Sequence, residues 1–538
     1  MIALLITDVP FEQDIRELFM AFYPGEGFIY EDSPEAGIRF TAESTEPGVF
    51  RDTENGHADN TPGAEDAPET APEADPETAE GLYRMTITRS GRSVSFSSVR
   101  YRERLWSKNA LKRVLYRVLC RENGRTLPWG TLTGIRPAKL ALTELMEGVT
   151  ADEVCAHLKE RYFVSDSRTD LCVRTAENEL KAVQGLDLMN GWSLYIGIPF
   201  CPTTCLYCSF TSYPIAAARK KRSVPEDRSS PDQVTAYINA LCGELRAIAE
   251  MMRGRKLETI YMGGGTPTSL EAPELERILG TVRECFDLQY LKELTVEAGR
   301  PDSITAEKLE TLKKCGVTRI SINPQTLKQE TLDLIGRRHT VDQFRECFRL
   351  ARSLGFDNIN TDLIAGLPNE TADDMRRTME GIRELSPDDV TIHSLALKRA
   401  SRLNTRREDY ADVRYGSASD MITLAAEYCS SMGLHPYYLY RQKNMAGNLE
   451  NVGWCRPGRE GLYNILIMEE LQTIVGAGAG TTTRVMFPEE NRYERAENVK
   501  DPLLYVQKAE EMAERKRRLI SDWTGRTQIT TPPAAQKF

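Results

Sequence analysis

Residues 193–208 read SLYIGIPFCPTTCLYC, an apolar, strand-like run that passes straight into three cysteines spaced C-x3-C-x2-C. Cys201, Cys205 and Cys208 fall within eight residues and can form a tripod of thiolates on one loop. A cubane [4Fe–4S] cluster takes four ligands. No fourth cysteine follows, since the next, Cys242, stands in a helical pattern. One iron would stay open to a ligand that is not protein, and an open coordination position serves chemistry more than scaffolding. Two blander readings compete with a cluster. A zinc site needs a fourth ligand, and no nearby His or Cys has zinc-ribbon spacing. The other is three unliganded core thiols, set beside a proline and two threonines.

Outward from this loop, short β-rich runs alternate with helical segments. The runs are 193–200, LETIYM (257–262), ELTVEA (293–298), TRISIN (318–323), NINTDLI (358–364) and DVTIHSLAL (389–397). One intervening helix opens at Ser230-Pro231-Asp232, read as Ser230 at the cap and Pro231 at the first helical position. Its apolar residues Val234, Ile238, Leu241, Leu245 and Ile248 recur every three or four positions. Six strand–helix units in series imply parallel pairing by crossovers. Six is short of the eight that close a barrel. The expected fold class is therefore α/β, an open partial (β/α)6 barrel over residues 187–400, with a doubly wound sheet as the fallback.

Residues 1–186 read as a separate α+β domain. A strand at Ile2–Ile6, a helix over 11–22, a hairpin around Ser90-Gly91 and a helix over 104–122 precede mostly helical sequence. Residues 52–80 hold ten acids and no Lys or Arg, are rich in Pro and Ala, and lack large apolar side chains. Such a stretch cannot offset chain entropy by burial and is expected to be a disordered insertion. Residues 401–523 form a C-terminal extension completing the active site, with a helix at 416–432, a strand-like HPYYLYRQ (435–442) and a final helix near 501–520. Residues 524–538 read as a flexible tail.

Composition narrows the function classes. The chain has 538 residues, 41% apolar and 28% charged, with a mean hydropathy of −0.43. No run approaches the roughly 18 apolar residues of a membrane span. The formal charge of −10 resides in the acidic insertion, and the remainder balances at 69 acids and 69 bases. A nucleic-acid binder wants a basic excess. Twelve cysteines without an export signal read as thiols of a reducing compartment, so a cytoplasmic protein is expected.

Reactive groups of (β/α) barrels gather at the carboxyl ends of the strands. After the second strand stands Gly263-Gly264-Gly265-Thr266-Pro267-Thr268, whose glycines let backbone approach a ligand. No Gly-Lys-Ser/Thr follows, so it is no phosphate loop. Glu297 ends the third strand, Gln325 follows the fourth, and Asp362 lies in the fifth. An acid or amide there can hold ribose hydroxyls or an amino group. Gly476-Ala477-Gly478-Ala479-Gly480 fails the dinucleotide spacing and is read as a glycine-lined loop.

The C-x3-C-x2-C loop after a first strand resembles the radical S-adenosylmethionine (SAM) enzymes. In that family SAM chelates the open iron, and one electron from the [4Fe–4S] cluster cleaves it to methionine and a 5′-deoxyadenosyl radical. IGIPFCPTTCLYCSF (196–210), YMGGGTPT (261–268), INPQTLKQETLDLIGRRHT (322–340) and NTDLIAGLP (360–368) resemble the oxygen-independent coproporphyrinogen III oxidase (dehydrogenase) group. LPWGTLTGIRPAKL (127–140) and YYLYRQKNMAGNLENVGW (437–454) are most similar to its HemZ-type branch.

The resemblance implies Cys201, Cys205 and Cys208 as cluster ligands. Tyr195, Tyr207, Gly264 and Glu297 would contact the SAM that is cleaved. Gly265, Thr266, Gln325, Arg337, Asp362 and Ala396 match positions holding a second SAM. The implied reaction removes a hydrogen from the β-carbon of a propionate; carbon dioxide leaves, an electron passes to an acceptor and a vinyl group remains. Two rounds convert coproporphyrinogen III to protoporphyrinogen IX in haem biosynthesis. The partners implied are this tetrapyrrole and a reducing electron-transfer protein. Arg337, Arg338, Lys398, Arg399 and Arg441 are candidate cations for the substrate's carboxylates. A related branch of haem chaperones uses an H-N-x-x-Y-W motif; His435 here has no such context. A tetrapyrrole carrier, or a radical enzyme on another substrate, are the alternatives.

Overall fold

The computed structural model describes residues 1–45, 75–224, 229–395, 417–441, 449–487 and 492–527. The chain divides into two compact units. One comprises Met1–Pro137, Val149–Val173 and Arg441–Leu449; the other comprises Ala138–Gly148, Arg174–Tyr440 and Glu450–Phe538.

In the first unit, β1 (Ile2–Thr7), α1 (Glu12–Phe22), β2 (Phe28–Ile29), β3 (Ile38–Thr45), β4 (Ala79–Arg89), β5 (Arg92–Tyr101) and α2 (Arg104–Asn123) follow in order. The strands form one sheet, β2-β1-β3-β4-β5. Ser90 and Gly91 both take positive φ, 51° and 79°, the twist a two-residue hairpin requires. Ile2, Leu4, Phe19, Phe40, Leu111 and Leu115 meet in the core between sheet and helices. Next in the chain come α3 (Pro137–Met146), which from Ala138 onward belongs to the second unit, α4 (Ala151–Tyr162) in the first, and α5 (Asp166–Ala182), divided between the two after Val173. A capping box starts α4, with Thr150 and Glu153 exchanging hydrogen bonds. The acidic stretch falls for the most part outside the described residues.

The second unit runs β6 (Trp192–Ile198), β7 (Phe200–Cys201), β8 (Tyr213–Pro214), α6 (Ile215–Lys220), α7 (Gln233–Met251), β9 (Leu257–Gly264), α8 (Ala272–Cys285), β10 (Glu293–Glu297), α9 (Ala306–Lys314), β11 (Arg319–Ser321), α10 (Gln329–Leu334), α11 (Val341–Ser353), β12 (Ile359–Ala365), α12 (Ala372–Leu385) and β13 (Asp389–Ser394). Then come α13 (Ala418–Ser431), β14 (His435–Tyr440), β15 (Asn451–Cys455), α14 (Leu462–Met468), β16 (Thr473–Ala477), β17 (Thr482–Phe487), β18 (Arg492–Glu497), α15 (Pro502–Gln507) and α16 (Ala509–Thr527). Their sheet has the order β14-β15-β13-β12-β11-β10-β9-β6-β16-β17-β18.

The six expected strands, β6 and β9 to β13, pair in parallel and in sequence order. A doubly wound sheet reverses its order at a switch point. No reversal occurs among these six, so the sheet is an open partial (β/α)6 barrel. Burial on both faces explains the largely apolar run of β6, in which all but Tyr195 are buried.

Three local expectations are corrected. Asp232, not Ser230, caps α7: its carboxylate accepts from the Val234 and Thr235 amides at 3.0 and 3.2 Å. A carboxylate beside the helix N-terminus gains from the macrodipole as well as from the hydrogen bonds. Gly476 and Ala477 belong to β16, which pairs in parallel with β6. Low strand propensity hid this seventh parallel strand, and close approach explains it: a Cβ on Gly478, at φ 100°, would lie 2.5 Å from both the Gly197 carbonyl oxygen and the Tyr237 hydroxyl. The last helix continues to Thr527, past residue 520.

Candidate active site

Sequential parallel pairing brings the carboxyl ends of β6 and β9 to β13 to one rim. The three-cysteine loop leaves β6 there. It is pinned from several sides: Leu206 N donates to Ile335 O at 3.0 Å, Thr203 Oγ1 to Gly336 O at 3.4 Å, and Cys208 N to Cys205 O at 3.3 Å. Thr266, past the end of β9, places its hydroxyl 3.5 Å from Cys201 Sγ.

Arg300 follows β10 and reaches the loop. Its guanidinium donates to Thr203 O at 3.2 Å, Thr203 Oγ1 at 3.1 Å and Cys205 Sγ at 3.4 Å, while Asp302 holds its other face at 2.7 and 2.9 Å. Arg337 is buried and spends its donors on the Tyr207 hydroxyl at 3.0 and 3.3 Å and on the Gly299 and Asn323 carbonyls at 2.9 Å each. Burial pushes the Cys208 thiol up to about 11 and the Cys201 thiol upward, with neighbouring cysteines adding to both shifts.

The glycine stretch is locked to the same loop. Gly265 N donates to Ile198 O and Thr266 N to Phe200 O, each at 2.7 Å. A Cβ on Gly265 would stand 2.5 Å from Phe200 O, so only glycine allows this approach. These two amides therefore brace the cysteine loop, and the close approach the glycines allow is to its backbone.

Below the loop, Tyr261 Oη donates to Glu297 Oε1 at 2.6 Å. Burial drives the Glu297 carboxyl up to about 7, the Tyr261 hydrogen bond opposing and the Asp362 charge adding. Asp362 accepts from the side-chain amides of Asn323 and Asn360, each at 2.8 Å, and lies 3.8 Å from His393. Burial would raise its carboxyl, but His393 and Asn360 outweigh that and hold it below its ordinary range. One acid poised near neutrality and one held ionised thus share a rim. Gln325 sits there at φ 72°, strained for a non-glycine residue, and exchanges backbone hydrogen bonds with Asp362 and Ile364 at 3.1 and 3.0 Å. Tyr195 stacks against Tyr261 and Tyr463, ring centroids 6.1 and 6.0 Å away.

The family model of the radical SAM superfamily matches residues 195–382. The oxygen-independent coproporphyrinogen-III oxidase-like protein HemZ of Bacillus subtilis (strain 168) is 40% identical over 76% of this chain and 80% of its own. This chain belongs to the radical SAM superfamily, in the coproporphyrinogen oxidase-like family. The haem chaperone HemW of Lactococcus lactis subsp. lactis (strain IL1403) is 31% identical over 54% of this chain and 69% of its own. Among solved structures, the coproporphyrinogen III oxidase HemN of Escherichia coli is similar at 23% identity and a TM-score of 0.48, covering 62% of this chain and 72% of that one.

A radical SAM enzyme uses a [4Fe–4S] cluster and SAM. The donor set here fits the cluster. Among the described residues, the trio of ligand atoms lying all within 4.8 Å of one another is His435, Cys455 and Glu460, so the three loop sulfurs spread more widely. One tetrahedral zinc holds sulfurs about 3.8 Å apart. At least one pair of loop sulfurs is thus spaced more widely than one tetrahedral ion holds them, which suits a larger group, and Arg300 donates to one of them.

Cys201, Cys205, Cys208, Tyr195, Tyr207, Gly264, Gly265, Thr266, Glu297, Gln325, Arg337 and Asp362 all fall in the second unit: Tyr195 and Asp362 stand mid-strand in β6 and β12, Arg337 lies between α10 and α11, and the others are at or past strand ends. Ala396, Lys398 and Arg399 lie outside the described residues. Arg441 belongs to the first unit, where it donates to the Leu132 and Gly134 carbonyls and lies over Trp129. Arg338 is exposed. Sequence reasoning missed Arg300, Asn323 and His393. Each stands at or just past a strand end, and that position was the available signal.

Proposed function

We propose that this radical SAM enzyme oxidatively decarboxylates coproporphyrinogen III, turning two propionates into vinyl groups to give protoporphyrinogen IX. The observation that carries the reading is the 40% identity to a coproporphyrinogen-III oxidase-like protein across a span that includes the whole rim. Cys201, Cys205 and Cys208 would hold the cluster. Tyr195, Tyr207, Gly264 and Glu297 would contact the SAM to be cleaved, and Gly265, Thr266, Gln325, Arg337 and Asp362 a second SAM.

When bound, cluster and SAM supply a carbon radical able to take a hydrogen from a propionate β-carbon. The chain's own residues position and exclude. Arg337 fixes the Tyr207 hydroxyl and, through the Gly299 and Asn323 carbonyls, ties the ends of β10 and β11 to the loop. Four of its five N–H donors are spent within the protein, so its main part is positioning, with one Nη2 N–H left for the second SAM. Ionised Asp362 suits an ammonium or ribose hydroxyls. Glu297, near neutrality, can give or accept a proton at Oε2 while Tyr261 occupies Oε1.

Anaerobic incubation of reduced, cluster-loaded protein with SAM and coproporphyrinogen III is expected to yield 5′-deoxyadenosine and vinyl products by mass spectrometry. Absence of both defeats the proposal. The haem-chaperone relatives favour a second reading, a tetrapyrrole carrier. It predicts stoichiometric haem binding without turnover.

A further inference from the structure

We propose that His435, Cys455 and Glu460 bind a thiophilic divalent cation, zinc foremost, at the end of the sheet opposite the cysteine loop. His435 opens β14 and Cys455 closes β15, and the two are cross-strand partners. Cys455 also faces Asp389, the first residue of β13. That register sets the pair at the amino ends of the parallel strands. The turn after Cys455 passes through Gly458, at φ 77°, and returns Glu460 to the pair. There its carboxylate accepts the Gly458 amide at 3.1 Å.

The three ligand atoms converge. His435 Nε2 lies 2.9 Å from Glu460 Oε1 and 3.5 Å from Cys455 Sγ. Tetrahedral zinc, with bonds of about 2.3 Å to sulfur and about 2.0–2.1 Å to nitrogen and oxygen, separates its S and N ligands by about 3.6 Å and its N and O ligands by about 3.3 Å. The observed spacings need to open by only a few tenths of an ångström. Cysteine, histidine and glutamate together also form a donor set that zinc accepts and magnesium or calcium does not.

Three protein ligands leave a fourth position. Glu460 lines a cavity of about 600 Å³ shared with Lys292, Lys313, Asn358 and Arg459. Water or a small anion can reach the metal from there. On binding, the Cys455 thiol proton and any proton on His435 Nε2 pass to solvent, and no oxidation accompanies the step.

The test uses cluster-loaded protein, stripped of adventitious zinc and then titrated with zinc chloride. We expect about one zinc per chain after desalting, with iron content unchanged. Zinc K-edge X-ray absorption should report one sulfur at about 2.3 Å and N/O neighbours at about 2.0–2.1 Å. His435→Ala and Glu460→Gln, each checked for native circular dichroism, should weaken zinc at least tenfold while the cluster's visible absorption stays the same. The proposal is overturned by holoprotein that takes up no zinc, by both variants retaining full affinity, or by a three-sulfur shell, which would put the metal on the Cys201–Cys208 loop.

Discussion

At the scale of single residues, the cysteine loop is stapled by backbone hydrogen bonds that do not depend on any one thiol. Cys205→Ala should therefore abolish iron incorporation on anaerobic reconstitution while leaving far-ultraviolet circular dichroism intact. Full iron content would contradict the ligand assignment. Arg300 donates to Cys205 Sγ at 3.4 Å. A hydrogen bond and a positive charge at a ligand sulfur favour the reduced, more negative cluster. Arg300→Gln should lower its reduction potential, by about 60 mV if the equilibrium changes tenfold, as read by redox titration followed by electron paramagnetic resonance. Glu297 supplies a pH signature. Its folded-state value, about 7, exceeds its ordinary value of 4.5. Its contribution to stability is therefore complete below about pH 4.5 and is lost as pH rises through 7. Relative to Glu297→Gln, the natural chain should lose about 1–3 kcal/mol between pH 5 and pH 8, measured by denaturant titration. Asp362 has the opposite sign: its contribution is present above its ordinary value and lost in acid. The cysteines were legible because spacing alone encodes a tripod. Arg300 and His393 were not, because a one-residue change of register decides whether a strand-end side chain faces the rim.

Among elements, the parallel strands were legible because short β-rich runs alternate with helical segments, even where polar residues such as Glu293, Asp362 and Asp389 interrupt them. The edges were not. β16 reads as a glycine turn because its small residues answer to a neighbour, Gly197, that only the fold brings near. Its anchorage is a buried polar knot between α7, α16 and the loop after β16. Glu244 accepts from the Gly478 amide at 2.7 Å, the Tyr505 hydroxyl at 2.5 Å and Asn498 Nδ2 at 3.0 Å, and it pairs with Lys516, both side chains being fully buried. Burial lowers the Lys516 value, and Glu244 opposes that shift. Lys516→Met strands the carboxylate in the interior and should cost about 3–5 kcal/mol. Adding Glu244→Gln removes the stranded charge and should recover part of that loss, as a double-mutant cycle would show. Gly478→Ala should cost at least about 1–3 kcal/mol, because the left-handed backbone and the contact with Gly197 are both denied to a Cβ.

For the molecule as a whole, the six strands in sequential parallel order put every carboxyl end on one rim and every amino end on the other, which separates the cysteine loop from the proposed zinc trio. The acidic stretch connects β3 to β4, which are antiparallel neighbours with Thr45 opposite Leu82, so whatever spans 46–74 closes between adjacent strands of the first unit's sheet. Closing such a loop costs only about 0.6 kcal/mol more for each doubling of its length. Replacing residues 46–74 by six Gly/Ser residues should change stability by no more than about 1 kcal/mol and leave substrate-dependent 5′-deoxyadenosine formation within twofold. Charge is what it should alter. Eight acids and one arginine go with the segment, so the formal charge moves from −10 to −3. A protein nearer neutrality repels its own copies less. The shortened chain should therefore precipitate at lower protein concentration near pH 7, with its activity per molecule unchanged. A loss of 5′-deoxyadenosine formation in a fully folded, cluster-loaded variant would instead give residues 46–74 a part in the chemistry.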